Sequence, residues 1–117
     1  MDKVVILDFD GTIVDFKYPD IGDLKPGAKE VIQQLKDMGY IIKIFSCRTS
    51  TELNPELYKR VKHKMGMIEF LDKHEIPYDE IITDSNKPIA TFYIDDRAIE
   101  YNNDWNEVID KIKKRGN

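Results

Sequence analysis

Two carboxylates stand two residues apart near the start of the chain, in Asp8-Phe9-Asp10-Gly11-Thr12, and two adjacent ones follow much later, Asp95-Asp96. Between them come Ser46-Cys47-Arg48, a hydroxyl, a thiol and a guanidinium in succession, and Lys87 precedes the second acidic pair. Carboxylates gathered in one place repel each other unless a cation joins them. Their oxygens suit a hard ion, and Mg²⁺ typically takes one or two carboxylates together with water and phosphate oxygens. The group that such a site complements best is a phosphoryl group, whose charge must be neutralised before an anionic nucleophile approaches. Phosphoryl transfer is therefore the chemistry these residue types suggest.

The residues can act together only if the fold carries them to one spot. Lys3–Phe9 is apolar without alternation and predicts a strand buried on both faces, as in a parallel sheet. Tyr40–Ser46, Glu80–Thr83 and Thr91–Ile94 predict three more strands. Ala28, Val31, Ile32, Leu35 and Met38 recur at helical spacing, with Gly39 where a helix C′ residue belongs. Leu57, Val61, Met65, Ile68 and Leu71 make a second stripe, and Trp105, Val108, Ile109 and Ile112 a third, with Trp105 expected as a core anchor. Asp104 and Glu107 stand before that last stripe with capping-box spacing. The order β-α-β-α-β-β-α predicts an α/β fold with helices flanking a mainly parallel sheet, a Rossmann-like three-layer sandwich. Such sheets bind ligands at the carboxyl edge of their strands. Asp8 and Asp10, Ser46, and Asp95-Asp96 all fall at expected strand ends.

These segments resemble the four motifs of the haloacid dehalogenase (HAD) superfamily, in their usual order: Asp8-Phe9-Asp10-Gly11-Thr12, Ser46, Lys87 and Asp95-Asp96. The resemblance extends from Lys3 to Arg97. Tyr18-Pro19-Asp20-Ile21-Gly22 and Asp95-Asp96-Arg97-Ala98-Ile99 are similar to segments of small capless HAD hydrolases. It implies Asp8 as a nucleophile that forms an aspartyl-phosphate, and Asp10 as general acid and then general base. It also implies that Ser46 bonds a phosphoryl oxygen and that Lys87 pairs with Asp8 and the phosphate. Asp8, Asp10 through its carbonyl, Asp95 and Asp96 are the implied Mg²⁺ ligands. Thr12, Cys47 and Arg48 are added as candidate substrate-binding residues. Seven residues separate Lys87 from Asp95, with Pro88 directly after the Lys, which leaves no room for a helix there.

The reading is of one domain over 1–117, with 13–24 as a small flap and no space for a cap between the motifs. Expected substrates are phosphorylated: a sugar phosphate, a nucleotide or a nucleic-acid end. An open site leaves room for a homo-oligomer to close it. Phosphotransferase or mutase activity, or a non-hydrolytic phospho-aspartate regulatory module, are the alternatives.

A formal charge of −4 argues against a chain that mainly coats nucleic acid or an anionic membrane. The longest apolar run, Val4–Leu7, has four residues, far short of a membrane span or a signal-peptide core. A lone cysteine, Cys47, excludes an intrachain disulfide and a multi-cysteine zinc site, and fits a reducing, cytoplasmic setting. No Walker A loop and no G-x-G-x-x-G occurs. His63 and His74 read as solvated or packed histidines, and Lys59–Lys64 as the wet face of the second helix.

Overall fold

In the computed structural model, which describes residues 3–116, Val4–Leu7 forms strand β1. An unalternating, branched run suits a strand covered on both sides, and Val5, Ile6 and Leu7 are all buried. There follow helix α1 (Ala28–Asp37), strand β2 (Ile41–Ile44), helix α2 (Leu57–Lys73), strand β3 (Glu80–Ile81), strand β4 (Phe92–Ile94) and helix α3 (Trp105–Gly116). One 3₁₀ turn, Cys47–Thr49, leads out of β2. No helix occupies the segment between Lys87 and β4.

The fold is α/β, with a four-stranded sheet in the order β3-β2-β1-β4. All its pairings are parallel, so the carboxyl ends of the strands share one edge. Val5 is in register with Ile42 and Phe92, and Leu7 with Ile44 and Ile94. Paired residues in a parallel ladder face the same way. Val5, Leu7, Ile42, Ile44 and Ile81 accordingly join Ile32, Met67 and Leu71 in one buried cluster. The opposite face carries the paired Lys43 and Glu80, whose charged ends lie 3.4 Å apart. The main core therefore lies on one face of the sheet.

Two apolar stripes do not lie where their periodicity predicts. On α2, Leu57, Val61 and Met65 are exposed, while Met67 and Leu71 are buried. The physical reason is local to the amino-terminal half of the helix. There α2 packs against the 3₁₀ turn and turns His63 toward a buried guanidinium, which needs a polar neighbour more than an apolar one. On α3, Trp105 is no core anchor: it is 72% exposed, and the helix buries no residue. Polar contacts hold α3 instead. Arg115 donates to the carbonyls of Asp96 and Ala98, and Lys111 to that of Glu100. Asp104 does cap the helix, accepting from the Asn106 N–H at 2.9 Å. Among the described residues no helix is long and apolar enough to cross a membrane.

Candidate functional site

Asp8 directly follows β1, and its N–H donates to the Ile94 carbonyl of β4 at 3.0 Å. That bond brings the end of β1 beside the end of β4, where Asp95 and Asp96 emerge. One carboxylate oxygen from each of Asp8, Asp95 and Asp96 lies within 4.8 Å of the others. The Thr12 hydroxyl ties the group together. It lies 3.4 Å from Asp8 Oδ2 and accepts from the Asp96 N–H at 3.2 Å. Gly11, at φ +86°, makes the turn between Asp10 and Thr12, a backbone shape that side chains rarely adopt.

Electrostatics mark the same spot. The Asp8 carboxyl is pushed up to about 7, first by burial, then by its hydrogen bond with Asp96 and the charge of Asp95. Three carboxylates this close resist full ionisation, and three hard oxygen donors are the chemistry that a divalent cation satisfies. Asp8, Asp95 and Asp96 thus form a cluster that could hold a metal ion.

Asp10 turns elsewhere. Its carboxylate accepts two hydrogen bonds from Arg48, Nε to Oδ2 at 2.7 Å and Nη2 to Oδ1 at 2.8 Å. Arg48 is 1% exposed. Its other donors reach the Pro19 carbonyl at 2.9 Å, the Asp20 carbonyl at 2.7 Å and His63 Nδ1 at 3.1 Å. A guanidinium has five N–H groups, and all five are used inside the protein. Arg48 therefore has no donor left for a ligand. The Tyr18 ring covers the guanidinium, 4.9 Å from its carbon, and stacks on His63 at 5.5 Å between centroids. Arginine donates only, so His63 accepts through Nδ1 and is neutral in this contact. Partial burial and the Arg48 charge lower its pKa accordingly.

A cleft of about 560 Å³ opens at this edge. Asp8, Asp10, Ser46, Cys47, Arg48 and Asp95 line it, together with Phe16 and Tyr18 from the loop segment 13–24, expected to act as a flap. Ser46 is buried and accepts from the Arg48 N–H at 3.1 Å, which caps the 3₁₀ turn. The Cys47 thiol is raised by partial burial and by the neighbouring Asp8 charge, which keeps it protonated. Lys87 is not in the cleft lining: its ammonium lies over the Tyr93 ring at 5.4 Å. The cause is the short, helix-free approach to β4, where Tyr93 donates its hydroxyl to the Pro88 carbonyl. Arg97, for which the residue pattern alone suggested no role, does line the cleft and sits over Phe16 at 5.5 Å. Its one signal in the sequence was its place directly after Asp95-Asp96, at the end of a predicted strand. His63, read as a bystander, is the other residue missed. Nothing in its neighbourhood along the chain marked it, because its partner Arg48 comes from a different element.

No protein-family model matches the chain, and no curated protein matches it. Two solved structures are similar over nearly its whole length. One is that of a conserved protein from Bacteroides thetaiotaomicron, 25% identical, covering 98% of this chain and 93% of that one with a TM-score of 0.64. The other is a crystal structure of a protein from Vibrio cholerae, 29% identical, covering 96% of this chain and 98% of that one with a TM-score of 0.57. The chain thus resembles bacterial proteins of its own size, end to end.

Proposed function

We propose that the protein is a Mg²⁺-dependent phosphomonoester hydrolase, a capless HAD-type enzyme that works through an aspartyl-phosphate on Asp8. The observation that carries this reading is the meeting of Asp8, Asp95 and Asp96, with Asp8 and Asp95 lining one cleft together with Asp10 and Ser46. Their three carboxylates would hold Mg²⁺, which when bound supplies charge neutralisation for the phosphoryl oxygens.

The chain's own residues do the rest. An Asp8 oxygen attacks phosphorus and the bond to the leaving oxygen breaks, while Asp10 passes its proton to that oxygen. Asp10, now a carboxylate, takes a proton from the water that attacks the phosphorylated Asp8. Phosphate leaves, Asp8 is restored as a carboxylate, and Asp10 holds a proton again. The Ser46 hydroxyl donates to a phosphoryl oxygen. Arg97 supplies positive charge at the cleft, a role that the buried Arg48 and the outlying Lys87 are less well placed to fill. The substrate is a phosphorylated sugar, nucleotide or nucleic-acid end.

The test is phosphate release from p-nitrophenyl phosphate and from a panel of sugar, nucleotide and oligonucleotide phosphates, with Mg²⁺ and with EDTA. Hydrolysis should require Mg²⁺. Asp8→Asn should abolish it, and Asp10→Asn should cost about 10²–10⁴-fold. Equal rates in the wild type and both variants would sink the proposal.

A further inference from the structure

Arg48 is among the most buried large side chains of the protein, and burying a cation is costly unless it is paired and fully hydrogen-bonded. Three separate parts of the fold supply its partners. Asp10 comes from the exit of β1, Pro19 and Asp20 from the flap, and His63 from α2. The rings of Phe9 and Tyr18 lie 5.9 Å and 4.9 Å from its guanidinium carbon. Its own backbone is pinned as well. The Arg48 N–H donates to Ser46 Oγ, and Asn54 donates to the Arg48 carbonyl at 3.0 Å. A buried charge with every donor used, and with its fork on one carboxylate, is a device for holding that carboxylate still.

From this we infer that Arg48 is a positioning residue for Asp10, locking its carboxylate to the flap and to α2. The inference rests on the phosphohydrolase reading above, in which Asp10 moves the proton. Arg48 takes one lone pair on each Asp10 oxygen, and a carboxylate offers about four such sites. An outward lone pair therefore remains for the leaving group or water. The flap joins the same lock through two backbone carbonyls. Side-chain changes in the flap can therefore alter its surface while the clamp on Asp10 survives.

The readout is dependence on the leaving group. A misplaced general acid harms a substrate with a poor alkoxide leaving group and spares one whose leaving group needs no proton. In Arg48→Lys, the ratio of kcat/KM for an alkyl phosphate to that for 2,4-dinitrophenyl phosphate should fall by about 10²-fold, the size of a small misplacement at a reacting centre. In an Asp10→Asn background the same change should leave the ratio where Asp10→Asn alone puts it, because Arg48 acts through Asp10. Equal losses on both substrates, or a further fall of the ratio in the Asp10→Asn background, would overturn the inference. If Arg48→Lys does not fold, His63→Leu decides. It removes one acceptor from the clamp and should lower the same ratio by a smaller factor; an unchanged ratio there overturns the inference too. A wild type that hydrolyses neither substrate counts against the phosphohydrolase reading instead.

Discussion

Gly11 and Asp96 lie so close that a Cβ on Gly11 would sit 2.3 Å from Asp96 Oδ2. The glycine is needed twice, for its φ of +86° and for the space that it leaves to a carboxylate of the cluster. Gly11→Ala should thus push Asp96 out of place and strain the turn by about 1–2 kcal/mol. The expected outcome is a fall in Mg²⁺ affinity larger than the fall in thermal stability would suggest. Calorimetric titration of Mg²⁺ alongside a melting curve separates the two. Unaltered Mg²⁺ binding in a folded Gly11→Ala protein would contradict a role for Asp96 in the proposed metal site.

Asp8 makes stability, and under the proposed function Mg²⁺ binding as well, depend on pH. Its carboxyl titrates near 7 in the folded chain against an ordinary value of 3.8. A carboxyl raised on folding adds stability below its unfolded value and loses that contribution as pH rises through the folded one. Between about pH 4 and 7 the metal-free protein should therefore lose stability from this group as pH increases. Mg²⁺ competes with the proton, so the rise in Tm on adding Mg²⁺ should grow over the same range. Melting curves at pH 5.5, 6.5 and 7.5, with EDTA and with Mg²⁺, check both signs. Asp8→Asn should flatten the dependence.

His63 works in the opposite sense. Its pKa is lowered from 6.5, first by burial and then by Arg48 and Lys62, with Asp10 acting against them. The neutral ring is also the form that can accept from Arg48. A group lowered on folding contributes stability above its unfolded value and loses it as pH falls through the folded one. The stability advantage of the wild type over His63→Gln should therefore be largest above pH 7 and shrink toward pH 5. Urea midpoints of both proteins across that range measure it, and taking the difference removes the Asp8 contribution common to both.

Cys47 borders the cleft, yet its thiol is held in the protonated form by partial burial and by the Asp8 charge. The thiolate is the reactive species, so iodoacetamide should label Cys47 more slowly at pH 8 than it labels free cysteine. Asp8→Asn takes away one of the two main causes and should speed the labelling. Mass spectrometry of the alkylated fraction with time would show either result, and labelling as fast as free cysteine would refute the assignment of charge around the thiol.

Deleting core volume tests the one-sided packing. Leu71 is fully buried in the cluster that β1 and β2 share with α2, whereas Leu57 on the same helix is 66% exposed. Leu71→Ala should cost about 2–5 kcal/mol and Leu57→Ala far less. A stripe read from periodicity alone would give them similar costs, so chemical denaturation of the two variants discriminates between the two packings.

How much of this was legible in the amino-acid order depends on how local the physics is. An unalternating branched run at Val4–Leu7 and helical spacing through Ala28–Asp37 report backbone preference and burial within a few residues. The α/β class follows from them. So does the placement of Asp8, Asp95 and Asp96 near strand ends, because a charge that closes an apolar run tends to mark the edge of a sheet. Parallel pairing of β1 with β4 then brings these acids together although Asp8 and Asp95 stand 87 positions apart in the chain, a distance that no periodicity spans.

The identities of the partners were decided only by the tertiary structure. Arg48 stood beside Ser46 and looked available to a ligand. Folding spends all of its donors on Asp10, the flap carbonyls and His63, because a buried guanidinium must find a partner for each N–H. The same demand turns α2 so that His63 faces inward and Leu57, Val61 and Met65 face out. Lys87 and Arg97 changed places as candidates because the short run before β4 keeps Lys87 over Tyr93 while Arg97 leaves the strand end into the cleft. By itself the sequence determined the elements and the acids at their ends, since those rest on contacts between near neighbours. Which cation meets which carboxylate was left to the fold, since long side chains from distant segments settle that by competing for the same buried partners.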